Sequence, residues 1–152
     1  MTPDESALLA RRKTRFDQFY QEMMPVLVDF IQRLGQDQSH TVLHDASRFL
    51  GVIDESFKYD LISTEDRSWF MTRIMYFVGE YFVQNFGGHW LVNDTPGSRF
   101  FARYVVGGFG TRAIPNGQID PLEVATSYTD SPAPRDLVGL IASVERELKG
   151  VC

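Results

Sequence analysis

His40 and His44 stand four residues apart, the spacing that puts two imidazoles on one face of a helix. Asp37 or Asp45 would add a carboxylate, and two nitrogens with one oxygen make a zinc ligand set. The competing reading places His40 in a loop ahead of the helix and His44 on or near its surface. The zinc-protease pattern HExxH is incomplete, because Thr41 stands where its glutamate belongs. Glu80 is the second candidate. It lies between Gly79 and Tyr81 in the apolar stretch from Phe77 to Phe82, where burial would raise its pKa and suit it to acid–base work with His44 or His89. Equally, such a glutamate is structural, bonded to a neighbouring Arg, Tyr or His, or simply turned to water. Gly107-Gly108-Phe109-Gly110 has the glycine content of a phosphate-cradling loop, but Thr-Arg-Ala-Ile-Pro follows it rather than a helix. A bulge or tight connection is the better reading. The basic cluster Arg11, Arg12, Lys13 and Arg15 has no interleaved aromatic before Phe16 and reads as a solvated helical turn, not a nucleic-acid surface. There is no GxSxG and no Cys–His pair. With no assembled catalytic set, the expectation is a protein that is not an enzyme and has no cofactor or metal.

The elements that must position these residues follow from periodicity. Phe16, Phe19, Tyr20, Met23, Leu27, Phe30, Ile31 and Leu34 form the ladder of an amphipathic helix that Gly35 stops. Pro25 lies inside it and predicts a kink or break near Met24. A second helix, capped by Ser39 or Thr41, carries Leu43, Ala46, Phe49, Leu50, Ile53 and Phe57 on one face. A third begins at a Ser63 cap with Asp66 as reciprocal acid and ends at Gly87-Gly88. The period then falls to two: His89 to Val92 and Arg99 to Val106 predict a hairpin joined by residues 93–98. Thr111 to Ile114 form a candidate short third strand. Asp120-Pro121-Leu122-Glu123 opens a helix with an acid at the cap, proline at the first helical position and glutamate three residues after the cap. Ser131-Pro132-Ala133-Pro134 ends that helix before a last one bearing Leu137, Leu140, Ile141, Val144 and Leu148. The class is therefore α+β: N-terminal helices, a small antiparallel sheet covered on one face, then C-terminal helices, in a single domain over residues 1–152.

Composition narrows the function. The chain has 152 residues, 43% hydrophobic and 23% charged, which argues against disorder and against a coiled-coil rod. Twelve Phe, six Tyr and two Trp imply a large-side-chain core, or a core plus an apolar docking surface that leaves room for a homo-oligomer. The single cysteine, Cys152, forms no intramolecular disulfide, and the acidic start shows no apolar leader, so a reducing, cytoplasmic setting without membrane contact is expected. The net charge of −5 disfavours nucleic acid. That charge is localised. Residues 16–66 hold ten acids and three bases, net −7, against +2 before and zero after. Asp17, Glu22, Asp29, Asp37, Asp45, Asp54, Glu55 and Asp60 are therefore the candidate face for a basic protein partner. The alternative is that these acids serve solubility alone.

At Gly79-Glu80-Tyr81, then Asn85-Phe86-Gly87-Gly88-His89-Trp90, then Asp120-Pro121-Leu122-Glu123-Val124, the chain resembles a group of small uncharacterised bacterial domains. The resemblance covers about residues 63–130, and its motifs are structural. Some relatives in that group look like immunity or toxin-neighbourhood proteins. The resemblance thus implies a bacterial protein-binding module, an immunity-type inhibitor of a basic toxin being its sharpest form, and supplies no catalytic residue. The alternative is a small-molecule binding or sensory domain, with a pocket between the third helix and the hairpin lined by Trp69, Glu80, Tyr81, Trp90, Phe101 and Tyr104.

Overall fold

The computed structural model of the protein describes residues 1–151; Cys152 lies outside the described residues. Helix α1 runs from Pro3 to Arg33. Its start is a capping box: the Thr2 hydroxyl accepts the Glu5 N–H at 3.1 Å, and the Glu5 carboxylate accepts the Thr2 N–H at 3.2 Å. The predicted break at Pro25 does not occur. Proline inside a helix costs about 3 kcal/mol, but Met23, Leu27, Phe30 and Ile31 around it are all buried. Burying side chains of that size contributes about 1.5–3 kcal/mol each, which outweighs the lost bond and holds the helix through the proline.

The predicted second helix is divided. Ser39–Leu43 and Ala46–Phe49 are 3-10 turns, and only Leu50–Phe57, α2, is α-helical. The apolar face nevertheless survives, with Val42, Ala46, Phe49 and Ile53 all buried. Gln84 accounts for the interruption: its amide oxygen accepts the Ala46 N–H at 2.6 Å and its nitrogen donates to the Val42 carbonyl at 2.9 Å. A side chain from elsewhere thus takes backbone groups that an uninterrupted helix would pair internally.

Gln84 belongs to α3, Arg67–Phe86, the centre of the molecule. Residues 76–80 of this helix are all buried, so it is enclosed rather than amphipathic. The Ser63 hydroxyl does accept the Asp66 N–H, at 3.1 Å, but the helix proper starts at Arg67 and Asp66 makes no reciprocal side-chain cap. Gly87, in the left-handed region at φ 71°, ends it as expected.

The hairpin is present, shorter than predicted. Strand β1, His89–Val92, pairs antiparallel with β2, Tyr104–Gly107, in the register Trp90 to Val106 and Val92 to Tyr104. Residues 99–103 belong to the connection, which closes where the Asn93 carbonyl accepts the Ala102 N–H at 2.7 Å and the Asn93 N–H donates to Arg103 at 3.0 Å. No third strand forms at Thr111 to Ile114; Gly110–Arg112 is a 3-10 turn, and β2 instead gains one bridge, Val106 to Ile119. Val105 and Val106, which point to opposite faces, are both fully buried, so β2 is covered on two sides and not one.

Helix α4, Pro121–Asp130, opens as its sequence predicts, with the Asp120 carboxylate accepting the N–H groups of Leu122 at 3.0 Å and Glu123 at 3.4 Å. Helix α5, Leu137–Lys149, is capped by Asp136 and ended by Gly150. One apolar cluster draws buried residues from all five of these helices and both strands, which makes the class α+β.

Candidate functional site

Among the residues proposed to line a pocket, three meet. The indole of Trp90 lies against Gly79, where any Cβ would fall inside its ring, and its Nε1 donates to the Glu80 carboxylate at 3.2 Å. Burial pushes the Glu80 carboxyl above its ordinary value, and the Trp90 hydrogen bond partly offsets that. Tyr104 shares a sheet face with Trp90, and Phe19 of α1 lies on both, 5.2 Å from Trp90 and 4.6 Å from Tyr104 between ring centroids. Phe19 of α1 therefore fills the space beside Trp90 and Tyr104 on this face of the hairpin. Tyr104 is further tied to α1 through its hydroxyl, which donates to the Arg12 carbonyl at 2.9 Å.

Tyr81 and Trp69 lie elsewhere. One residue of α-helix is 100° of rotation, so Tyr81 points away from Glu80; its hydroxyl donates to Glu145 of α5 at 2.8 Å, and burial followed by that carboxylate pushes the phenol up to about 12. Trp69, at the opposite end of α3, packs 6.0 Å from Phe30 and carries the Arg73 guanidinium on its face at 4.1 Å.

One groove lies between α1 and α4, with Met75 of α3 and Tyr104 of β2 in its wall. It encloses about 440 Å³ and is lined by Arg12, Met75, Arg103, Tyr104, Asp120 and Glu123, with Leu122, Thr126 and Ser127. Arg103 lies 2.9 Å from the buried Asp120 carboxylate and 3.7 Å from Glu123, and Arg99 also pairs with Glu123. Two cations and two carboxylates leave its charge near balance. Sequence reading missed this groove because Asp120 and Glu123 read completely as helix-capping residues.

The histidines do not assemble into a site. His40 lies within a 3-10 turn and His44 caps it, so the α-helical spacing that would align their rings is absent, and both are exposed. Among the described residues no histidine side chain hydrogen-bonds to Glu80, and no three His, Cys, Asp or Glu side chains converge. The glycine run after β2 leads into the turn Gly110–Arg112 rather than an α-helix, as a connection would and a phosphate loop would not.

The acids divide sharply. Asp17, Glu22, Asp37, Asp45, Glu55 and Asp60 are exposed and belong to no ion pair among the described residues. Asp29 is half-buried and pairs with Arg33 at 2.7 Å. Asp54 departs from the expected partner face altogether. It is buried, its carboxylate accepts the Leu137 N–H at the start of α5 at 2.9 Å, and Lys58 approaches it at 3.6 Å. Its work is to join α2 to α5.

No helix among the described residues is long and apolar enough to cross a membrane. No protein-family model matches the chain, and no curated protein or solved structure matches it either.

Proposed function

We propose that the protein works by binding a basic protein partner, and that an immunity-type inhibitor of a basic toxin is the sharpest form of that activity. The observation that carries the reading is the set of six exposed acids without ion pairs, all within residues 17–60. Several cations, by contrast, are held in ion pairs: Lys58 on Asp54, Arg67 on Asp130, Arg99 on Glu123 and Arg103 on Asp120. Residues 16–66 thus keep their net charge of −7, offset only by the exposed Arg11, Arg12 and Arg15 at the start of α1, and such a field raises the encounter rate with a cationic surface. Affinity purification from the producing cell is expected to return one stoichiometric basic protein. Reversing Asp17, Glu22, Glu55 and Asp60 to lysine is expected to slow its association about tenfold or more at low salt and to flatten the salt dependence. Association unchanged in rate and salt dependence would remove the electrostatic basis of the reading.

The groove between α1 and α4 favours a second reading, a small-molecule binding domain. Its balanced charges, Arg12 and Arg103 against Asp120 and Glu123, suit a zwitterionic ligand better than a simple anion. Native mass spectrometry of freshly purified protein tests it; a mass equal to the bare chain in every preparation counts against it.

A further inference from the structure

We propose that the docking surface for the basic partner is the loop of residues 58–66 together with Trp69, an apolar anchor set inside an acidic rim; this rests on the basic-partner reading and names its place. Tyr59 is 72% exposed, Leu61 96% and Trp69 42%. Single exposed apolar residues are ordinary. Here three fall on the connection between α2 and α3 and the start of α3, and the two ends of that connection meet at Phe30: Trp69 packs on Phe30, and Phe30 stacks at 5.9 Å on Phe57, the residue from which the loop departs.

The loop presents these side chains from a fixed backbone. Arg135, itself buried, donates from Nη1 to the Phe57 carbonyl at 3.1 Å and the Asp60 carbonyl at 2.5 Å, and its N–H donates to the Lys58 carbonyl at 2.9 Å. Ser63 holds the far end through the Asp66 N–H. A surface ordered before binding loses less conformational entropy when it docks. Tyrosine and tryptophan on such a surface are the residue types that dominate binding energy at protein interfaces.

The rim identifies the occupant. Asp60, Glu65 and Asp66 are exposed and in no ion pair among the described residues. Of the cations nearest in sequence, Lys58 pairs with Asp54 and Arg67 with Asp130 at 2.7 Å, and Arg73 lies over the Trp69 ring, so the uncompensated acids are those of the loop. The complementary surface is an apolar side chain or two flanked by lysine and arginine.

The test titrates the full chain, labelled with nitrogen-15, with a short lysine–leucine peptide and separately with a glutamate–leucine peptide of equal apolar content. Expected are amide shifts concentrated in residues 57–69 with the cationic peptide only, reduced by salt. Tyr59→Ala with Leu61→Ala should weaken binding about tenfold, as loss of a hot-spot contact does; both side chains are exposed, so an unchanged amide spectrum elsewhere reports an intact fold. Shifts centred instead on Asp17 and Glu22, with the double variant unaffected, would overturn this placement while leaving the basic partner standing. Equal binding of both peptides, or of neither, would overturn the placement and the basic-partner reading together. Shifts in residues 57–69 that follow protein concentration without peptide would overturn it in favour of a second copy of the chain.

Discussion

Gly79→Ala tests the contact on which the centre of the molecule depends. In a helix interior with free space, alanine is about 1 kcal/mol better than glycine. At Gly79 there is no space: a Cβ would meet the Cζ2, Cη2 and Cε2 atoms of Trp90. The indole has nowhere to withdraw, because Phe19 packs against it at 5.2 Å and its nitrogen is bonded to Glu80. Displacing it forfeits part of the 3–5 kcal/mol that removal of a buried tryptophan costs, so the net loss is about 2–3 kcal/mol after the helix gain. In a chain of this length that lowers the melting temperature by roughly 4–12 °C. The assay is urea unfolding followed by far-ultraviolet circular dichroism, with the slope in denaturant checked for constancy. In a Trp90→Val background the obstacle is gone, and Gly79→Ala should be neutral or stabilising by up to about 1 kcal/mol, a coupling of about 3 kcal/mol between the two positions. An equal cost in both backgrounds, or a cost below about 0.5 kcal/mol in the wild type, would refute the contact.

Three further outcomes are expected. Tyr128 is fully buried and its hydroxyl has no hydrogen-bond partner, so Tyr128→Phe should leave stability unchanged or raise it by about 1 kcal/mol; a loss above about 1 kcal/mol would reveal a partner on that hydroxyl. The Glu80 carboxyl is raised in the folded state, so the native protein binds the proton more tightly than the unfolded chain. Its contribution to stability therefore declines as pH rises from the ordinary glutamate value of 4.5 through the folded value, and Glu80→Gln, which keeps an acceptor for Trp90, should remove that decline in unfolding measured across pH. Asp54→Ala should cost about 1–3 kcal/mol, because it strands the Leu137 N–H and the Lys58 ammonium, whereas Asp17→Ala should stay within about 0.5 kcal/mol; equal effects would contradict the division between structural and surface acids.

What was legible in the chain beforehand is local. Asp120-Pro121 and the Ser63 hydroxyl act within four residues of themselves, and they make the predicted hydrogen bonds. The apolar ladders at Met23, Leu27, Phe30 and Ile31 and at Phe70, Ile74 and Phe77 are buried as their spacing implies. The Thr2–Glu5 capping box is equally local and went unread, because the apolar ladder that marked the helix begins only at Phe16. The misread elements each turn on a hydrogen bond that periodicity does not reveal. Gln84 divides the second helix, Asn93 closes a longer hairpin loop than its turn residues suggest, and Ile119 rather than Thr111 meets β2.

The sequence alone determined the helix order, the hairpin, the Asp120 and Gly87 caps and the concentration of negative charge in residues 16–66, because caps, periodicity and charge are properties of neighbours along the chain. Only the tertiary structure decided which acids face water. Asp54 and Glu55 are adjacent and chemically alike, yet helical rotation turns one onto the start of α5 and the other into solvent. It also decided that Phe19 of α1 fills the space beside Trp90 and Tyr104, and that Arg135 holds the loop of Tyr59 and Leu61. Those contacts join residues 71 to 85 positions apart, and no pattern along the chain records which of them will meet.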